Sequence, residues 1–188
     1  MDIQTFDIAG LALLTPRHIG DERGYFAETF RADIFADKIG DYKFVQDNES
    51  MSARVGTIRG LHFQSPPHAQ GKLVRCTAGT LFDVAVDIRV GSLTYGQWIG
   101  ETLTPDNGKQ LWVPPGFAHG FCTLQPNSVA AYRVTGGYYS AECDKGLAWD
   151  DPAIGIVWPE VADADTLSAK DRQQPLLSDL PTYFTWSN

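Results

Sequence analysis

Cysteine is scarce: the chain has three, Cys76, Cys122 and Cys143, an odd number at wide spacings with no CxxC pair. A disulfide framework and a cysteine-built zinc site are therefore disfavoured, and a reducing compartment fits best. Long apolar runs are missing; none approaches the ~18 residues that a spanning helix requires. Basic residues are outnumbered, with 15 Lys and Arg against 23 Asp and Glu and a net charge of -8. Nucleic-acid binding rests on a basic excess, so this balance argues against it, though not against a small anion held in a local basic pocket. The opening MDIQTFDIAG has neither the basic nor the apolar region of a secretion signal, and the expected location is the cytoplasm. Repeats, linkers and low-complexity tracts are absent too. A length of 188 residues is enough for a substantial core and suggests one domain, 1–188.

What is present is alternation of apolar and polar residues. TLFDVAVDI (80–88) sets Phe82, Val84, Val86 and Ile88 on one face and Asp83, Ala85 and Asp87 on the other. GKLVRCTAG reads as its partner strand, with Ala78, Gly79 and Thr80 as the turn. KQLWVPPGFAHGFCTL reads as strand, loop, strand, and NSVAAYRVTGGYY continues the pattern with a bend at Gly136 and Gly137. Shorter strands are expected over 11–15, 24–30, 45–52 and 96–103. Helical signal is confined to RADIFADKIG (31–40), with a second short helix expected near Pro152 or after Asp165. Many short strands between Gly and Pro turns predict an all-β sandwich or barrel, with a jelly roll as the expected form.

TIRGLHFQSPPHAQGKLVRC (57–76) concentrates Arg59, His62, His68, Lys72 and Arg75 in an otherwise strand-like segment. The chain has only four histidines, His18, His62, His68 and His119. Strict alternation would send Arg59 and His62 to opposite faces. A bulge at Gly60 would reset the parity and aim both into one cavity. His18 and His68 lie in polar, loop-like contexts and read as surface residues.

The motifs DERGYFAETF, QDNES, RGLHFQ, PPHAQGKLVRC, DVAVDIRVGSLTYGQW, QLWVPPGFAHGF, YYSAE, WDDPAIGIVWP and LSAKDRQQPLL follow one another in order. Together, over roughly Asp21 to Leu177, they resemble the dTDP-4-dehydrorhamnose 3,5-epimerase family, of the cupin type of jelly roll with a few short helices. The resemblance implies a cofactor-free homodimer acting on a dTDP-4-keto-6-deoxy sugar, dTDP-4-dehydro-6-deoxy-D-glucose, on the way to dTDP-L-rhamnose. The implied reaction removes a proton beside the C4 ketone and returns one to the opposite face, at C3 and at C5. Such a reaction needs a base on one face, an acid on the other and a group to hold the enolate charge.

His62 suits the base, since an imidazole of pKa about 6.5 keeps a neutral fraction near neutrality. By resemblance, Asp171 pairs with it and fixes its tautomer. Tyr132 is the implied acid, because a phenol of pKa about 10 holds its proton at neutral pH. Lys72 is the implied enolate stabiliser, with His119 beside the sugar and Asp83 holding Lys72 or His62 in place. The resemblance assigns Arg23 and Arg59, with Lys170 close by, to the diphosphate, whose oxygens arginine forks match. The resemblance brings Arg23, Phe26 and Glu28 across the dimer interface. It places Gln46, Asp47 and Asn48 with Glu28 on the thymidine side, and Asp144 at the acidic position after the YY pair. Tyr139 is the residue expected to stack on the base, with Tyr138 as the alternative. One residue more than the family pattern stands between Tyr132 and that pair.

Metal is the natural rival, since many cupins bind one through an HxH pair, a glutamate and a later histidine. Here His62 is followed by Phe63 and Gln64, leaving a poor ligand set, and no metal is expected. Alternatives to the double epimerase are a single-site epimerase of a related deoxysugar, a 3,4-ketoisomerase of the same fold and a non-catalytic cupin that binds nucleotide sugars. A purely structural module fits poorly with so many polar residues inside strands.

Overall fold

The computed structural model describes residues 1–186. The first strands are β1 (Asp2–Thr5), β2 (Ala12–Thr15), β3 (His18–Asp21) and β4 (Gly24–Ala27), followed by helix α1 (Ala32–Lys38). Next come β5 (Phe44–Ser52), β6 (Ile58–Gln64), β7 (Lys72–Ala78), β8 (Leu81–Asp87) and β9 (Arg89–Val90). The remainder are β10 (Trp98–Leu103), β11 (Gln110–Val113), β12 (Phe117–Thr123), β13 (Ser128–Thr135), β14 (Asp144–Gly146) and β15 (Phe184–Thr185). A six-stranded antiparallel sheet, β1-β2-β11-β7-β13-β5, faces a five-stranded antiparallel sheet, β10-β8-β12-β6-β14. Their facing sides form a jelly roll whose inner core holds Leu13, Val74, Leu81, Ala85, Leu111, Phe117, Phe121 and Ala130.

The alternation in β8 holds, and each of its faces has a destination. Leu81 and Ala85 point into the barrel core. Val84 and Val86, with Phe82 beside them, point outward and are covered by a later stretch of chain that includes Leu147, Ile154, Trp158, Leu177 and Phe184. The continuous apolar row is therefore the outer face, and Asp83 shares the inner one. On the six-stranded sheet the outer side is sealed by α1, whose Phe35 packs on Trp112, Leu14 and Leu73.

The expected strands over 11–15, 45–52 and 96–103 are β2, β5 and β10. The strand expected over 24–30 stops at Ala27 and is one arm of a hairpin with β3, so His18 lies in a strand, stacked on Tyr25 at 4.0 Å between ring centroids. The turn at Gly79 and the bend at Gly136 are present, both at positive φ. The second helix is absent in α form. In its place, short 3-10 turns occupy Ala164–Thr166, Asp171–Gln173 and Leu177–Asp179. No described helix is long and apolar enough to cross a membrane.

Candidate active site

The bulge at Gly60 exists and decides the site. In β6 and β12, His62 pairs with His119 and Arg59 pairs with Phe121, so three steps on one strand match two on the other. The extra residue turns Leu61 outward into the covered apolar layer and His62 inward. Arg59 and His62 thus line one cavity of about 280 Å³. Glycine is required at position 60: its φ is +120, and a Cβ would lie 2.7 Å from Gly120 Cα and 2.8 Å from the His119 carbonyl oxygen.

The cavity has two walls. From the five-stranded sheet come Arg59, His62, His119 and Phe121; from the six-stranded sheet come Ser50, Lys72 and Tyr132. The alternation of each strand delivers them. Tyr132 stands opposite Val74, and Lys72 opposite Val134, so the phenol and the ammonium are diagonal neighbours on one face. Lys72 Nζ lies 5.9 Å from the centroid of the Tyr132 ring. Ser168, Lys170 and Asp171 complete the rim, carried by the chain that crosses the end of β6. A contiguous second lobe of about 470 Å³ adds Gln46, Asn48, Gln64, Gln70 and Tyr139.

Two histidine–carboxylate pairs stand side by side. His62 Nε2 is 2.5 Å from Asp171 Oδ1. His119 Nε2 is 2.9 Å from Asp83 Oδ1. A carboxylate can only accept, so in both imidazoles Nε2 is the donor. Asp171 is 5% exposed and is fixed by its own backbone N–H donating to Ser168 Oγ at 3.1 Å. Burial alone would raise its pKa, but the bonds from His62, Ser168 and the Gly60 backbone prevail and hold it below the usual carboxylate value. Burial lowers Lys72 to about 8, with Asp83 and Asp144 acting in the opposite sense. Burial raises the Tyr132 phenol, against a hydrogen bond with Asn48, so it keeps its proton well into the alkaline range.

The remaining candidates divide by location. Tyr139 donates to Asp144 Oδ2 at 3.1 Å, and Lys170 is paired with the same oxygen, so Tyr139, Asp144 and Lys170 form one cluster at the mouth. Tyr138 lines neither lobe. Gln46 and Asn48 face the second lobe and are joined by a 2.8 Å hydrogen bond. Asp47, between them on β5, faces the other side of the sheet, 3.8 Å from Arg133. Arg23, Phe26 and Glu28 line neither lobe of their own chain. Arg23 is paired with Asp21 on the hairpin, where Tyr25 is 59% and Phe26 69% exposed. The hydrogen-bond partner of Asp83 is His119, where sequence led to Lys72 or His62. Ser50, Phe121, Ser168, Gln64 and Gln70 were not anticipated. Ser50 and Phe121 were within reach, being two residues beyond Asn48 and His119 on alternating strands. Among the described residues, no three His, Cys, Asp or Glu side chains form a metal-ligating group.

A jelly roll with imidazoles on one wall and a half-buried phenol and ammonium on the other defines a cupin-fold enzyme built for proton transfer. The chain belongs to the dTDP-4-dehydrorhamnose 3,5-epimerase family, whose model matches residues 5–179. It is 58% identical over 186 residues to a dTDP-4-dehydrorhamnose 3,5-epimerase of Sinorhizobium fredii, covering 99% of this chain and 94% of that one. A 3,5-epimerase from Legionella pneumophila, solved in complex with dTDP-4-keto-L-rhamnose, superposes with a TM-score of 0.92 at 42% identity, covering 100% and 99% of the two chains. The Bacillus anthracis dTDP-4-dehydrorhamnose 3,5-epimerase, solved with TDP and pyrophosphate bound, gives a TM-score of 0.88 at 46% identity, covering 93% of this chain and 98% of that one.

Proposed function

We propose that this chain, as one catalytic domain, converts dTDP-4-dehydro-6-deoxy-D-glucose to dTDP-4-dehydro-L-rhamnose by inverting C3 and C5, in dTDP-L-rhamnose biosynthesis in the cytoplasm. One observation carries the mechanism: the His62 imidazole and the Tyr132 phenol come from facing sheets and line the same cavity. His62 removes the proton beside the C4 ketone, and the electron pair moves onto the C4 oxygen. Lys72 offers its ammonium to that oxygen, a type of contact worth about 10²–10³ in rate. Tyr132 then donates its proton to the opposite face of the same carbon and is reprotonated from solvent. The same cycle at the second carbon completes the inversion. Asp171 keeps His62 in the tautomer whose free nitrogen is the base.

Arg59 and Lys170 at the rim suit the diphosphate, and Gln46, Asn48 and Tyr139 suit the thymidine. Arg23, Phe26 and Glu28 act in a second copy. Their hairpin exposes apolar rings and touches neither lobe of its own chain, and that arrangement favours a homodimer completed by exchange of this hairpin. Product identification tests the assignment. The dTDP-4-keto sugar is incubated with the protein and trapped by an NADPH-dependent ketoreductase of L-rhamno specificity. NMR then reads dTDP-L-rhamnose if the proposal holds, and a sugar inverted at one carbon if the chain is a single-site epimerase.

A further inference from the structure

Asp83 occupies an expensive position. It is 0% exposed, in the barrel interior, on the inner face of β8. His119 stands opposite Ala85 in the β12–β8 register, so Asp83 is its diagonal neighbour and the two side chains meet. That bond serves Oδ1 alone; Oδ2 is buried with no hydrogen-bond partner among the described residues. A carboxylate half satisfied in a core costs stability, and such groups persist where their charge serves a neighbour. The neighbour is Lys72, for which Asp83 is the foremost opposing charge against the burial that favours neutral amine.

We propose that Asp83 is a positioning residue of this site, a sealed carboxylate that orients His119 and sustains the positive charge of Lys72 beside the developing enolate. Asp83 does not line the cavity itself, and its hydrogen bond to the lining is made through His119. The groups around Lys72 in the cavity are Asp144 on β14, Tyr132 on β13, Arg59 and His62 on β6, and His119 on β12, with Lys170 and Asp171 at the rim, while Asp83, buried on β8 outside this lining, acts on Lys72 through its charge. Asp144 is shared with Lys170 and Tyr139, which leaves Asp83 as the anion whose charge is not already taken up by a second cation. Burial raises the pKa of Cys76, a thiol of the inner core, and so favours its neutral form.

The inference rests on the epimerase reading, and Asp83→Asn tests it. The amide keeps the shape and can accept from His119 but carries no charge. kcat and KM are measured across pH for the native chain and the variant. The alkaline limb of kcat should move down by about one pH unit, as expected for loss of a nearby opposite charge. KM should stay within about twofold, because Asp83 does not contact substrate. A uniform fall in kcat with the limb unmoved would make Asp83 merely structural and overturn the proposal. Should the variant fail to fold, nitrogen-15 NMR of the native chain decides: His119 should hold its proton on Nε2 throughout neutral and alkaline pH. A neutral His119 protonated on Nδ1 would overturn the proposal. Failure of the epimerase reading is distinct, since the native chain would then leave the dTDP-4-keto sugar unchanged.

Discussion

His62 and His119 are register partners on β6 and β12, and each imidazole rests on its own buried carboxylate, Asp171 and Asp83 respectively. Antiparallel partners present their side chains on one face, so the pairing puts two oriented imidazoles on a single wall. The wall opposite offers Lys72 and Tyr132. In the proposed reaction, a planar keto-sugar carbon between these walls would meet His62 as base on one side and Tyr132 as acid on the other.

Replacing His62 by Asn should lower kcat by about 10²–10⁴ with dTDP binding nearly unchanged, because a positioned base is lost while the rim is kept. Asp171→Asn should fall in the same direction, since an amide can present its N–H to Nε2 and favour the wrong tautomer. Steady-state kinetics with calorimetry of dTDP binding checks both.

Tyr132→Phe separates abstraction from inversion. The base and the enolate stabiliser remain, so deuterium from D₂O should still enter the sugar from the His62 face with retained configuration. Inversion should fall by about 10²-fold or more, the size of a lost general acid. NMR of the recovered sugar reports label and configuration together.

The Lys72 ammonium titrates at about 8. Its stabilising charge is present below that pH and is lost as pH rises through it, so kcat should decline on the alkaline side from there. Tyr132, raised by burial, stays protonated over the same range and does not set this limb. Lys72→Met should remove the limb and cost about 10²–10³ in kcat. Rate against pH for both chains tests this.

Gly60→Ala should destabilise the fold as well as the site. The residue has φ +120, and its new Cβ would meet backbone at 2.7 and 2.8 Å. Strain of this kind costs about 1–3 kcal/mol, read as a lower Tm. Activity should fall beyond the loss of folded protein, because the bulge that turns His62 inward is disturbed.

Much of this was legible in the sequence because it depends on local alternation. The strand faces of β8, the turn at Gly79 and the parity reset at Gly60 follow from neighbouring residues alone. The separation of Asp47 from Gln46 and Asn48 follows from the same rule, since adjacent residues of β5 face opposite sides. The partner of Asp83 was not legible. It depends on the register between β8 and β12, set by a connection of about thirty residues that no local pattern encodes. The long C-terminal stretch reads as weak structure in sequence, since its residues bury side chains through 3-10 turns without a period of two or of 3.6. Yet it supplies Asp171 and the cover over the outer face of β8.

The most direct measurement is the position of solvent label. Native protein is incubated with dTDP-4-dehydro-6-deoxy-D-glucose in D₂O, and the sugar is examined by NMR. Abstraction by His62 and donation by Tyr132 at both carbons flanking the ketone predict deuterium at C3 and at C5, each with inverted configuration. Label at neither carbon, with the sugar bound but unchanged, would contradict proton transfer across this cavity.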